Sequence, residues 1–207
     1  MVADEGQPGQ IVILNGVPRS GKTSIARVIQ DTFEGAWMNI GVDAFSRHVT
    51  PREFQPGIGL RPGETGHAAE PMVPVFYAAM YASIAAHSRL GLNVVTDVGH
   101  HDSYGDDVIG ACARLLAGLP VLFVGVRCPI EAIMERRNMG EGPYVKGSAG
   151  DPVPAPVLRW QDAVHAHSVY DLEVDTSVMS AQECAEVIRG RLRDGAPGTA
   201  FAEIAKR

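Results

Sequence analysis

At 207 residues, 45% of them apolar and 20% charged, the chain is long enough for one domain with its own core, which excludes a wholly disordered protein and any need for disulfides or a structural metal. The longest apolar run, Leu119–Val126, is far too short for a bilayer, and the acidic start MVADEGQPGQ is not a secretory leader, so a cytoplasmic protein with no membrane partner is expected. Acidic residues outnumber basic ones 24 to 18, for a net charge of −6, and no Lys/Arg block offers the surface that nucleic acid demands.

Ile11–Leu14 is a short β-rich run ending in Asn15-Gly16, and from Lys22 onward Ile25, Val28 and Ile29 recur at helical spacing. Gly16–Gly21 is therefore a glycine-punctuated connection between a buried strand and a helix. A second strand is predicted at Trp37–Val42, ending at Asp43. Residues 46–70, with Pro51, Pro56, Gly57, Gly59, Pro62, Gly63 and Gly66, read as an irregular excursion. A helix at Pro71–Arg89 stops at Gly91, and a strand at Leu92–Val95 ends at Thr96-Asp97. A helix at Asp106–Leu116 leads into the most strand-like run, Leu119–Val126, and then into a helix at Ile130–Asn138. Beyond the Gly/Pro-rich stretch 140–156 come a helix at Val157–Ser168, a strand at Asp171–Asp175 and a helix at Ala181–Arg193. Residues 1–194 form one expected domain. The tail 195–207 reads as loosely attached and flexible, with one amphipathic turn available at Phe201–Lys206.

Strands alternate with helices, and the strands are continuous apolar runs, so a parallel sheet covered on both faces is expected. Ligands gather at the carboxyl ends of such strands, where Gly16, Asp43 and Asp97 all fall.

The octapeptide GVPRSGKT, Gly16 to Thr23, matches the phosphate-binding loop G-x-x-x-x-G-K-[ST]. Gly16 and Gly21 let successive N–H groups aim inward, and the helix beginning at Lys22 adds its positive end. Lys22, one of only three lysines, reaches the β- and γ-phosphates of ATP, and Thr23 offers its hydroxyl to Mg2+. Pro18, Arg19, Ser20 and Ser24 complete the expected nucleotide contacts. A G-x-G-x-x-G dinucleotide motif and an NKxD guanine motif are both absent.

A phosphate loop alone does not separate a kinase from a motor or a transporter ATPase, but the chain is too small for most motors and what remains fits a small kinase, which needs a carboxylate to steer a hydroxyl acceptor and an arginine-bearing lid. Asp43 fits the base, with metal support through water or a helix cap as its other roles. Asp97, after Val94-Val95-Thr96, resembles a Walker-B carboxylate and joins Thr23 as a metal ligand or a substrate contact. Arg136 and Arg137 close a helix before the flexible stretch that holds Lys146, so residues 136–156 read as a lid whose cations stabilise the transferred phosphoryl group. Phe45, His48, Phe54 and His100, with the 157–168 helix, line the expected acceptor pocket. His165 and His167, two apart on that helix, point different ways and make no metal site. Cys112, Cys128 and Cys184 read as buried thiols, and Phe76, Tyr77, Met80 and Tyr81 as core.

The blocks ILNGVPRSGKTSI, IGVDAF, VVTDV, VLFVGVRCPIEAIMERR and VYDLEVDTS, in order over residues 11–190, resemble the chloramphenicol 3-O-phosphotransferase family of P-loop kinases. The resemblance implies a three-layer α/β fold, five parallel strands in the order 2-3-1-4-5, and ATP-dependent phosphorylation of a small-molecule hydroxyl, inactivating an antibiotic in the case of chloramphenicol. It carries the base over to Asp43 and the lid arginine to Arg136, and sets Thr176 and Ser177 beside the adenine. The chain departs from the family in the lid, where Met139-Gly140-Glu141-Gly142 follows the arginines, and across residues 48–70. Other acceptors, such as a nucleotide-sugar or nucleoside, a nucleotide-binding regulator without transfer activity, and a homo-oligomeric state all stay open.

Overall fold

The computed structural model describes residues 6–51, 70–101, 107–139, 152–167 and 169–207. Strand β1, Ile11–Asn15, is buried along its whole length, and its side chains divide with the two-residue period of a strand. Ile11 and Ile13 enter one apolar cluster, and Val12 and Leu14 enter another on the opposite face. The first cluster lies under helices α3 (Val73–Arg89), α4 (Val108–Leu115) and α8 (Ala200–Ile204). The second lies under α1 (Lys22–Thr32) and α7 (Ala181–Arg193). Both faces of the sheet are thus covered, which is what continuous apolar strands require.

Among the described residues the sheet has five strands, all parallel, in the order β2-β3-β1-β4-β5. The others are β2 (Trp37–Asn39), β3 (Asn93–Val98), β4 (Val121–Arg127) and β5 (Leu172–Asp175). The described residues also form α2 (Val42–His48), α5 (Ile130–Met139) and α6 (Ala155–Ala163), with a 3-10 turn at Glu70–Met72. A third cluster, with Val17, Cys128, Ile133, Val157, Trp160 and Val164, packs α5 and α6 beside the carboxyl end of the sheet. All three cysteines are buried and free. No helix among the described residues is long and apolar enough to cross a membrane.

Three expectations change. The helix expected over Val157–Ser168 runs Ala155–Ala163, with residues 164–167 in a turn after it. The second strand stops at Asn39, and the apolar run that suggested a longer one continues through Ile40 and Val42 into the core beside α2. Asp43 accordingly stands in the first turn of a helix rather than at a strand end. The tail is also not loose: Ala200, Phe201 and Ile204 are buried, and the Phe201 ring stacks on Tyr81 at 6.1 Å and meets Phe123 edge-on at 4.9 Å. Asp171 starts this last helix by accepting the N–H groups of Thr199 and Ala200, at 2.6 and 3.0 Å.

Candidate functional site

β1 delivers the chain to Gly16 at the carboxyl edge of the sheet, and α1 begins six residues later at Lys22. The two loop glycines are needed for different reasons. Gly21 has φ 91°, which side chains resist, whereas a Cβ on Gly16 would stand 2.5 Å from Val126 O and 2.9 Å from Ser20 Oγ. Arg19 also adopts positive φ, 71°, so two residues of the loop turn their backbone into the left-handed region. Lys22 folds back over this loop, donating to Gly16 O and Val17 O at 2.8 Å each. Burial pushes its ammonium down to about 8, while the Asp97 and Asp43 carboxylates pull it the other way. Both carboxylates therefore act on the same charge as the loop.

Thr23 donates from Oγ1 to Asp97 Oδ2 at 2.6 Å, joining the first turn of α1 to the penultimate residue of β3. Asp97 is buried. Asp43 is exposed, and Phe45, two residues on, packs partly into the core. His48 is exposed in the last turn of α2. Phe54 and most of the excursion, and the lid from Gly140 through Asp151 with Lys146, lie outside the described residues.

Behind the loop, Thr176 donates to Ser20 O at 2.7 Å, and its methyl group lies under Gly21. Arg136 grips the same threonine, donating to its carbonyl at 2.6 Å and its Oγ1 at 3.0 Å, and also reaches Arg19 O at 3.3 Å. Arg137 is buried. Both arginines expected on a lid lie in the last turn of α5, Arg136 bonded to the loop at Arg19 O. Ser177 is exposed and donates from N–H and Oγ to Asp175 Oδ1, at 2.8 and 2.6 Å.

His100 is also corrected: it is 2% exposed, its Nε2 pairs with Tyr81 OH at 2.7 Å, and its ring lies 4.8 Å from Tyr77. Burial drives its pKa down to about 3, so it is a neutral core group and not a pocket lining. His165 and His167 sit in the turn after α6, and both rings approach Tyr170. Sequence reasoning missed the centre of this network, Asn15. Its amide donates to Val164 O and Tyr170 OH at 3.0 and 2.9 Å, and its Oδ1 accepts the His100 N–H at 2.8 Å. The available signal was one polar residue closing a strand otherwise wholly apolar. Trp160 was missed likewise; it lies so close to Gly99 that a Cβ there would meet its ring at 2.9 Å.

The sequence pattern of chloramphenicol phosphotransferase-like proteins matches residues 9–193. The chain belongs to this family. A curated relative from Mycobacterium tuberculosis strain H37Rv, named "Putative O-phosphotransferase Rv2636", is 27% identical over the whole chain and 93% of its own length. In fold, the chain is similar to a sugar kinase from Janibacter, with TM-score 0.60, 21% identity, and 90% of this chain and 95% of the other covered. It is also similar to the Mycobacterium tuberculosis APS kinase CysC in complex with AMPPNP and APS, with TM-score 0.59, 14% identity, and 90% and 99% covered. Family and geometry together make this a kinase-type enzyme with a nucleotide-binding P-loop.

Proposed function

We propose that the chain moves the γ-phosphoryl group of ATP to a hydroxyl of a small molecule, and that chloramphenicol is the first acceptor to test, with antibiotic inactivation as the result. The observation that carries this reading is the 2.6 Å Thr23–Asp97 hydrogen bond beside the Lys22 ammonium, on which the Asp43 charge also acts. In this reading Lys22 exchanges the carbonyls of Gly16 and Val17 for phosphate oxygens, and the N–H groups at the start of α1 face the same anion. Thr23 Oγ1 and Asp97 Oδ2 are hard oxygen donors that suit Mg2+, which when bound would neutralise charge on the phosphates.

Asp43, exposed in the first turn of α2, accepts the acceptor hydroxyl's proton as that oxygen bonds to the γ-phosphorus. The bond from phosphorus to the bridging oxygen breaks, and ADP leaves with that electron pair. Arg136 serves by holding Thr176 against the loop, where the base-proximal end of the nucleotide would rest. Mass spectrometry of chloramphenicol incubated with the protein and Mg-ATP tests the reaction. A phosphorylated product is expected, abolished by Lys22→Ala. Asp43→Asn should lower turnover by roughly a hundredfold or more while ATP affinity changes little. Product that persists in Lys22→Ala would sink the phosphate-loop mechanism. Intact ATP binding without phosphorylated chloramphenicol would redirect the search to a nucleotide-sugar, a nucleoside or another hydroxyl compound.

A further inference from the structure

Gly41 precedes α2 with φ −86° and ψ 166°, an extended conformation open to any residue. Its backbone therefore gives no reason for glycine. Its N-cap position does not single out glycine either: Ser, Asp or Asn would serve there and would also bond the free N–H groups, and α2 has no side-chain cap. What excludes a side chain is Asp97. A Cβ on Gly41 would overlap Asp97 Oδ1 and stand 2.9 Å from its Cγ, while the third-nearest atom, Asp97 N, lies at an ordinary 3.4 Å. The opposite oxygen of the same carboxylate, Oδ2, accepts the Thr23 hydroxyl at 2.6 Å. The carboxylate thus fills the gap between Gly41 and the first turn of α1.

Neither wall of that gap is free to retreat. The Ile40 N–H donates to Val95 O at 3.0 Å, and the Thr96 hydroxyl donates to Ile40 O at 2.7 Å, which fastens the chain just ahead of Gly41 to β3. Thr23 is fixed by α1, whose inner side chains Ile25, Ala26 and Ile29 are buried. A methyl group at position 41 is therefore accommodated chiefly by turning the Asp97 side chain, which separates it from Thr23. We infer that Gly41 is a positioning residue: its missing side chain leaves the space in which Asp97 engages Thr23, and so sets the oxygen pair that holds the metal. The steric half of this statement stands on geometry alone, and the metal half rests on the proposed function.

A double-mutant cycle on the full chain tests both halves, using wild type, Gly41→Ala, Asp97→Ala and the double variant. ATP affinity is measured by equilibrium binding with and without Mg2+, and thermal midpoints are measured without metal or nucleotide. Gly41→Ala should weaken the Mg2+-dependent part of ATP binding by roughly tenfold or more, as Asp97→Ala does, and the double variant should bind no worse than Asp97→Ala. Gly41→Ala should lower the thermal midpoint when Asp97 is present and leave it unchanged or higher when introduced into the Asp97→Ala variant. Equal losses in both backgrounds, or an unchanged Mg2+ dependence in Gly41→Ala, would overturn the inference. If Gly41→Ala does not fold, a double variant as stable as Asp97→Ala supports the inference and an unfolded one overturns it. Wild type that binds no ATP would overturn the proposed function and the metal half, while the thermal cycle would still decide the steric half.

Discussion

Lys22 is held in a compromise that a bound nucleotide would resolve. Burial favours its neutral amine and lowers the pKa to about 8, and the Asp97 and Asp43 carboxylates only partly offset this. A polyphosphate seated on the loop adds negative charge and restores the ammonium, so ATP binding takes up a proton above about pH 8. ATP affinity should therefore be flat below pH 8 and fall above it, to roughly tenfold weaker at pH 9 than at pH 7. Apo stability moves the opposite way for this group. Between about pH 8 and the ordinary lysine value of 10.5 the unfolded chain holds the proton that the native one has released, so this contribution to stability rises with pH. Titration calorimetry across pH 7 to 9 checks the first sign, and urea unfolding of the apo protein the second. An affinity independent of pH would mean that the Lys22 ammonium does not contact phosphate.

At the scale of elements, the junction between α5 and β5 separates two roles for Arg136. Its guanidinium holds Thr176 and the loop carbonyl of Arg19, so it ties the end of β5 to the phosphate loop before any substrate arrives. A charged hydrogen bond of this kind contributes about 1.5–3 kcal/mol. Arg136→Ala should therefore lower apo stability by about that amount and weaken ATP binding, with a smaller effect on turnover at saturating ATP. A lid cation would behave oppositely: unchanged apo stability, unchanged affinity and a large loss of turnover. Which role holds is not legible in the sequence, because ERR at a helix end reads the same whether the helix carries its arginines outward or against the loop. The strand–loop–helix of residues 11–32 is legible, since its glycines, its lysine and its 3.6-residue period are all local signals. Asp43 is legible as a residue but not in its place, because the hydrogen-bond ladder of β2 ends at Asn39 while the apolar pattern runs on. Asn15, Gly41 and Trp160 act through neighbours far away in the chain, and nothing beside them in sequence marks that distance.

For the whole molecule, the open question is how much of the fold depends on the segment past the family match, which ends at residue 193. Its single amphipathic turn is too short to fix a helix by period alone, and the burial of that turn depends on a site that other elements assemble. Phe201 fills the space between Tyr81 of α3 and Phe123 of β4, with Ala200 and Ile204 beside it. Asp171 joins this helix to the sheet by accepting the Phe123 N–H at 2.8 Å through one oxygen and the start of α8 through the other. The helix thus closes the face of the sheet that also buries Tyr81, the hydrogen-bond partner of His100, and His100 in turn donates to Asn15 at the threshold of the phosphate loop. Removing the ring should cost about 3–5 kcal/mol, as large-to-small changes in a packed aromatic core do. Against a total of about 5–15 kcal/mol that leaves a marginal protein, whose urea midpoint falls sharply at an unchanged denaturant slope. Below that midpoint Phe201→Ala should bind ATP nearly as wild type does, because the loop, Thr176 and Arg136 are held by the opposite half of the fold. A loss under about 1 kcal/mol would show that α8 only rests on the core. A large loss of ATP affinity in the folded variant would show instead that the contacts running from Phe201 through Tyr81, His100 and Asn15 set the geometry of the loop itself.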